Sequence, residues 1–145
     1  MYKHLLIATD GSELAQKAVD QGVTLAKALG AKVTIVTASE PWHAYAPGEA
    51  AMSFPVKEYQ EAAQKRSSKV LADAEKVAND AGVACETIYV TDTYPAEGIL
   101  TTADKVNCDL IVMASHGRRG ISKLLLGSQA NNVVTHSERP VLICR

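Results

Sequence analysis

The sequence predicts an α/β protein: a five-stranded parallel sheet, doubly wound, with helices on both faces. Three observations carry this. Short apolar runs alternate with longer stretches of helical periodicity from one end of the 145-residue chain to the other. The run Asp109-Leu-Ile-Val-Met is almost wholly apolar, as a central strand covered on both sides must be. The breaks between runs hold Gly, Pro, Asp and Ser, the residues that turns require.

The elements follow in order. Leu5-Leu6-Ile7-Ala8 is the first strand and ends at the turn Thr9-Asp10-Gly11. Residues 12–29 form a helix with Leu14, Ala18, Gly22, Leu25 and Leu29 on one face, Ser12 as its N-cap and Gly30 as its stop. Residues 32–38 (KVTIVTA) are rich in β-branched side chains and make the second strand. From Glu40 to Pro55 there is no clear period and there are three prolines, so this stretch is expected to be a lid-like loop. Residues 57–81 make a long helix with Ala63, Val70, Ala74, Val77 and Ala81 inward, closing at Gly82. Alternation places a third strand at 83–91, and Pro95 opens a helix near 95–106. The strand Asp109–Ala114, a glycine-containing loop, a helix from about Ser128 to His136 and a last strand Pro140–Cys144 complete the chain. No internal repeat or linker interrupts it, so residues 1–145 are expected to be one domain.

Bulk composition narrows the function. Hydrophobic residues are 47% and charged residues 21% of the chain, and the formal net charge is −1. No global field draws such a chain to nucleic acid or anionic lipid. No apolar stretch approaches the roughly 20 residues that span a bilayer. Cys85, Cys108 and Cys144 lie far apart, which reads as buried, reduced thiols. With no signal peptide visible, a cytoplasmic protein is expected. The four histidines show no metal-site spacing.

In an open parallel sheet, ligands bind outside the carboxyl ends of the strands where the strand order reverses. A Rossmann-like order 3-2-1-4-5 puts that crevice between the loops after the first and fourth strands. Those loops are Thr9-Asp10-Gly11-Ser12 and Ser115-His116-Gly117-Arg118-Arg119-Gly120. Glycine lets backbone approach a ligand closely, and helix N-termini bind anions through their free amides. Gly127-Ser128 opens the next helix, so two amide-rich points are separated by an arm, which suits a polyphosphate and favours a nucleotide. There is no GxxxxGK[ST], no GxGxxG after the first strand, and no acid cluster of the receiver-domain kind beside Asp10.

The stretches "LLIATDGSELAQKAV", "DLIVMASHGRRGISKLLLGSQANNVV" and "PVLICR" resemble the universal stress protein family over essentially the whole chain. Nucleotide-binding members of that family carry Gly, two residues, Gly, nine residues, Gly and then Ser or Thr. Here the second glycine is Gly117 and the close is Gly127-Ser128, but Ala114 stands at the first position. The resemblance implies ATP as ligand, with Mg2+. Ala8, Thr9 and Asp10 would meet the nucleoside, Asp10 at the ribose hydroxyls or at a metal-bound water. Ala38 would face adenine through its backbone. Met113, Ala114 and Gly117 would line ribose and phosphates, and Gly127, Ser128, Gln129 and Ala130 would hold the phosphates. No side chain is expected to ligate a metal directly. The resemblance further implies a homodimer paired through the terminal strand Val141–Cys144, and a stress-response or regulatory role in which binding biases conformation or assembly.

The residues also admit plainer roles. Asp10 can simply stabilise its turn. His116 has no evident carboxylate partner and reads as a loop or packing histidine rather than a general base. Arg118 and Arg119 are either phosphate contacts or a solvated pair. Leu124-Leu125-Leu126 is expected to anchor the loop in the core. Trp42, Tyr45 and Phe54 cover the site or pack at an interface. With no paired acids and no activated nucleophile, no catalytic residue is assigned. The alternatives are a nucleotide-independent dimeric module on the same fold and a slow ATP hydrolase.

Overall fold

Strand β1 (His4–Ala8) is buried along its whole length and forms the axis of the protein. It pairs on one side with β2 (Lys32–Ala38) and on the other with β4 (Leu110–Ala114), Ile7 lying opposite both Ile35 and Val112. The edge strands are β3 (Cys85–Val90) beside β2 and β5 (Val141–Cys144) beside β4. Every pairing is parallel and the order is β3-β2-β1-β4-β5, as predicted. The structure is a computed structural model and describes residues 1–45, 48, 55–117 and 125–145, Tyr45 without its side chain.

Side chains of successive strand residues point to opposite faces, and the two faces carry two cores. Leu5, Ile7, Val33, Ile35, Leu110 and Val112 pack against helices α1 (Glu13–Leu29) and α3 (Val56–Asp80). Leu6, Ala8, Val36, Ile111 and Met113 pack against α4 (Pro95–Val106) and α5 (Ser128–His136). Continuous apolar runs are what a strand covered on both sides needs, and β1 and β4 have them.

Capping sets the helix limits. The Ser12 hydroxyl accepts a hydrogen bond from the Ala15 amide at 3.2 Å, and Gly30 ends α1 in the left-handed region at φ 64°. Pro95 occupies the first turn of α4. Two helix faces differ from expectation. On α1 the buried stripe is Ala15, Ala18, Val19, Gly22, Val23 and Ala26, whereas Leu14 and Leu25 are half-buried and Leu29 is exposed. Small residues let the helix sit close to the sheet: a Cβ on Gly22 would lie 2.7 Å from Cδ1 of Ile7. On α3, Ala63 and Ala74 are buried as expected, joined by Ser67, Leu71 and Ala78, while Val70, Val77 and Ala81 are half-buried. On both helices the buried stripe lies about one position away from the expected one, and on α3 it takes in Leu71 where Val70 was expected.

Polar contacts stitch the amino-terminal edge of the sheet. The Asp109 carboxylate accepts from the amides of Lys3 and His4 at 2.9 and 3.2 Å, tying β1 to the start of β4. His4 Nε2 and Thr34 Oγ1 are 2.8 Å apart within the core, and burial there lowers the imidazole pKa. Cys108 and Cys144 are buried and Cys85 is half-buried; all three are free thiols. Burial, reinforced by Glu75 and Glu86, pushes Cys85 up to about 11, so it stays protonated and unreactive at neutral pH.

Between β2 and α3 the chain forms the short helix α2 (Trp42–Tyr45), whose Trp42 ring lies 5.0 Å from that of Tyr59. Tyr59 also donates its hydroxyl proton to the Glu40 carbonyl at 2.8 Å. The remainder of the expected 40–55 loop, Phe54 included, lies outside the described residues save for Gly48 and Pro55, as do Arg118, Arg119, Gly120 and Leu124. Among the described residues no helix is long and apolar enough to cross a membrane.

Candidate functional site

β1 runs out at Ala8 beside the ends of β2 and β4, where the strand order reverses. The chain then turns sharply. The Thr9 amide still donates to the Val36 carbonyl at 3.0 Å, extending the ladder by one bond. Thr9 Oγ1 accepts from the Gly11 amide at 3.2 Å, and Asp10 Oδ1 accepts from the Ser12 amide at 2.9 Å. Gly11 has φ 78°, a conformation that side chains resist, which explains glycine at this point of the turn. Asp10 therefore stabilises its turn, as the plainer reading held. Its second oxygen faces the opposite loop, 2.7 Å from where a Cβ on Gly117 would stand.

That opposite loop begins as β4 ends. Ala114 pairs with Cys144 inside regular strand and has no positive φ, so alanine is accommodated where the family's glycine would stand. Its methyl group is buried with the α1–α3 core. At Gly117 the constraint is space: a side chain there would have to displace the Asp10 carboxylate. His116 Nδ1 lies 2.9 Å from the Ser115 hydroxyl.

The chain reaches α5 through Gly127, whose amide donates to the Ser115 carbonyl at 2.8 Å. Gly127 adopts φ −60° and ψ 155°, so what favours glycine there is close approach rather than backbone freedom: a Cβ would lie 3.0 Å from that same carbonyl oxygen. The first bond of the α5 ladder runs from the Asn131 amide to the Gly127 carbonyl at 2.8 Å. The amides of Ser128, Gln129 and Ala130 precede it at the positive end of the helix. The Gln129 side chain accepts from the Ala96 amide at 2.9 Å, capping the first turn of α4.

These segments enclose a cavity of about 450 Å3, within the range of small-molecule sites. All eleven residues singled out from the sequence line it: Ala8, Thr9, Asp10, Ala38, Met113, Ala114, Gly117, Gly127, Ser128, Gln129 and Ala130. Sequence reasoning missed most of the opposite wall. Arg66, Ser67 and Val70 of α3 line the cavity, as do Ser39 and Glu40 after β2 and Pro95 and Ile99 of α4. One signal was available for this wall: Ser67 is a polar residue four positions from both Ala63 and Leu71 on the buried face. Leu126 packs into the second core as expected, but Leu125 is 72% exposed at the cavity rim rather than anchoring the loop. Tyr89 on β3 donates its hydroxyl proton to Ser39 Oγ at 2.8 Å, or accepts one from it, holding the end of β2.

The model of the universal stress protein family matches residues 1–145. The chain belongs to that family. A universal stress protein of Thermus aquaticus is 36% identical over 149 residues, with both chains covered in full. Universal stress protein YxiE of Bacillus subtilis is 33% identical over 154 residues, again covering both completely. Among solved structures, a universal stress protein in complex with cAMP superposes with a TM-score of 0.71 at 29% identity, covering 99% of this chain and 97% of that one. For this universal stress protein, the crevice at the strand reversal is accordingly the place to seek a ligand.

Proposed function

We propose that this universal stress protein binds an adenine nucleotide, ATP with Mg2+, in the crevice between the β1 and β4 loops. The observation that carries the reading is the convergence of three parts on one cavity: the Thr9-Asp10 turn, Gly117 and the uncapped start of α5. A similar protein solved with cAMP supports an adenine nucleotide as the ligand class.

Each part has a distinct task. The amides of Ser128, Gln129 and Ala130, with the Ser128 hydroxyl, attract phosphate at the helix N-terminus. Asp10 would accept a hydrogen bond from a ribose hydroxyl or from a water bound to Mg2+. The backbone of Ala38 meets the adenine edge, and Val36, Ile99 and Met113 give the ring apolar surface. No residue is assigned to catalysis, so the nucleotide acts by ordering the loops that hold it, in a cytoplasmic stress-response or regulatory role. Calorimetry with ATP and Mg2+ tests this on purified protein. Saturable binding with a Kd of about 1 mM or tighter is expected, equivalent to about −4 kcal/mol. No heat at millimolar nucleotide overturns the reading.

The same reading makes the protein a homodimer through β5. This strand is at the sheet edge, its Val141 and Ile143 are half-buried, and Leu142 is 39% exposed. A bare apolar edge invites pairing, and a two-fold axis would pair it with its own copy. Sedimentation at micromolar concentration should give a dimer, and Leu142→Lys should give a monomer. A monomeric parent protein removes this part of the account.

A further inference from the structure

A second cavity of about 230 Å3 adjoins the first and shares Arg66 and Val70 with it. It lies on the α1–α3 side, between Gly11 and Gln16 at the start of α1 and Lys69 and Asp73 of α3. The start of α5 is on the other face of the sheet, so the two regions flank the Asp10-Gly11 turn from opposite sides. Among the described residues, Arg66 is the sole Lys or Arg lining the main cavity, and it is in no ion pair. Lys69, one turn further along α3, is paired with Asp73 at 2.6 Å. A 5′-phosphate chain directed at α5 leads away from Arg66. Arg66 lines both cavities, and the second of them also takes in Gly11, next to Asp10.

We propose that the Arg66–Lys69 groove recognises a phosphate carried on a ribose hydroxyl, making the preferred occupant an adenosine nucleotide phosphorylated at both ends of the sugar. This rests on the nucleotide reading above and deepens it. Asp10 accepts from the remaining ribose hydroxyl, its own charge partly offset by the Ser12 amide at 2.9 Å. Arg66 supplies a planar fork matched to phosphate oxygens, and Lys69 adds a point charge that exchanges Asp73 for the ligand.

Affinities for AMP, ADP, adenosine 3′,5′-bisphosphate and adenosine 2′,5′-bisphosphate, measured by calorimetry on the full chain, test this. At least one bisphosphate should bind about tenfold or more tighter than AMP, as a charge-assisted contact implies, and the tighter isomer identifies the hydroxyl. In Arg66→Gln that advantage should fall to about threefold or less, while AMP and the ADP-to-AMP ratio change by no more than about threefold. Lys69→Gln should lower the advantage by a smaller factor. Bisphosphates that bind no tighter than AMP overturn the proposal and leave nucleotide binding intact. An advantage that survives Arg66→Gln overturns it as well. If no nucleotide binds, the underlying reading falls and this inference with it.

Discussion

Gly127→Asp is expected to abolish adenine-nucleotide binding, weakening it by about a hundredfold or more, while leaving the protein folded. The new carboxylate would stand directly ahead of the Ser128, Gln129 and Ala130 amides, the place assigned to phosphate. Aspartate is a favoured N-cap, so its oxygens would accept from those amides and displace the ligand as well as repel it. The added Cβ lies 3.0 Å from the Ser115 carbonyl oxygen and 3.4 Å from His116 Cα, so the loop must yield by a few tenths of an ångström. That strain and the gained cap oppose one another, and net stability should change by only about 1 kcal/mol in either direction. Gly127→Ala adds the same Cβ without the charge and should retain measurable binding. Calorimetry beside thermal unfolding of both variants separates the effects. Full affinity in Gly127→Asp would move the phosphates away from α5. A protein that assembles unchanged, and whose parent never bound nucleotide, would be the nucleotide-independent module instead.

The second large effect concerns the fold. Gly22→Ala should destabilise the protein by about 1–2 kcal/mol, although alanine is the better helix former by about 1 kcal/mol. The reason is contact: the new methyl group would lie 2.7 Å from Cδ1 and 3.0 Å from Cγ1 of Ile7, in the centre of the sheet. Ile7→Val removes the nearer atom, at a cost of about 0.5–1.5 kcal/mol by itself. If the close approach of α1 to β1 sets the Gly22 requirement, the double variant should be more stable than the sum of the two losses by about 0.5 kcal/mol or more. Urea titrations of the four proteins give the coupling. Strict additivity would mean that the requirement arises elsewhere.

Both effects trace to glycines whose reason is packing, and this marks how far the sequence could be read. The strands were legible because β1 and β4 are continuous apolar runs, a pattern that only a sheet covered on both faces explains. The crevice followed from strand order, and the eleven residues that the family resemblance implied line one cavity. Helix faces were less legible. In α1 three of the alanines, Gly22 and two valines go inward while Leu29 is exposed, because the close-packed interface has room for small groups only. Periodicity finds the stripe, but side-chain size alone chooses the wrong edge of it. The α3 wall was hidden for another reason. Arg66 and Ser67 are more than fifty residues from Asp10, and no local pattern announces that a helix so distant will close the cavity. Gln129 shows a third limit: its place in the crevice was foreseeable, but the direction of its side chain depends on the first turn of α4.

The central claim is that an adenine nucleotide occupies the crevice with its phosphates at the start of α5. Amide chemical shifts of isotopically labelled protein, followed by NMR as ATP and Mg2+ are added, test it most directly. Saturable shifts should concentrate at Thr9, Asp10, Ala38, Gly117 and Gly127 to Ala130, with β3 and the amino-terminal ends of the strands unmoved. Unchanged spectra at millimolar nucleotide, or shifts confined to the sheet edges, would contradict it.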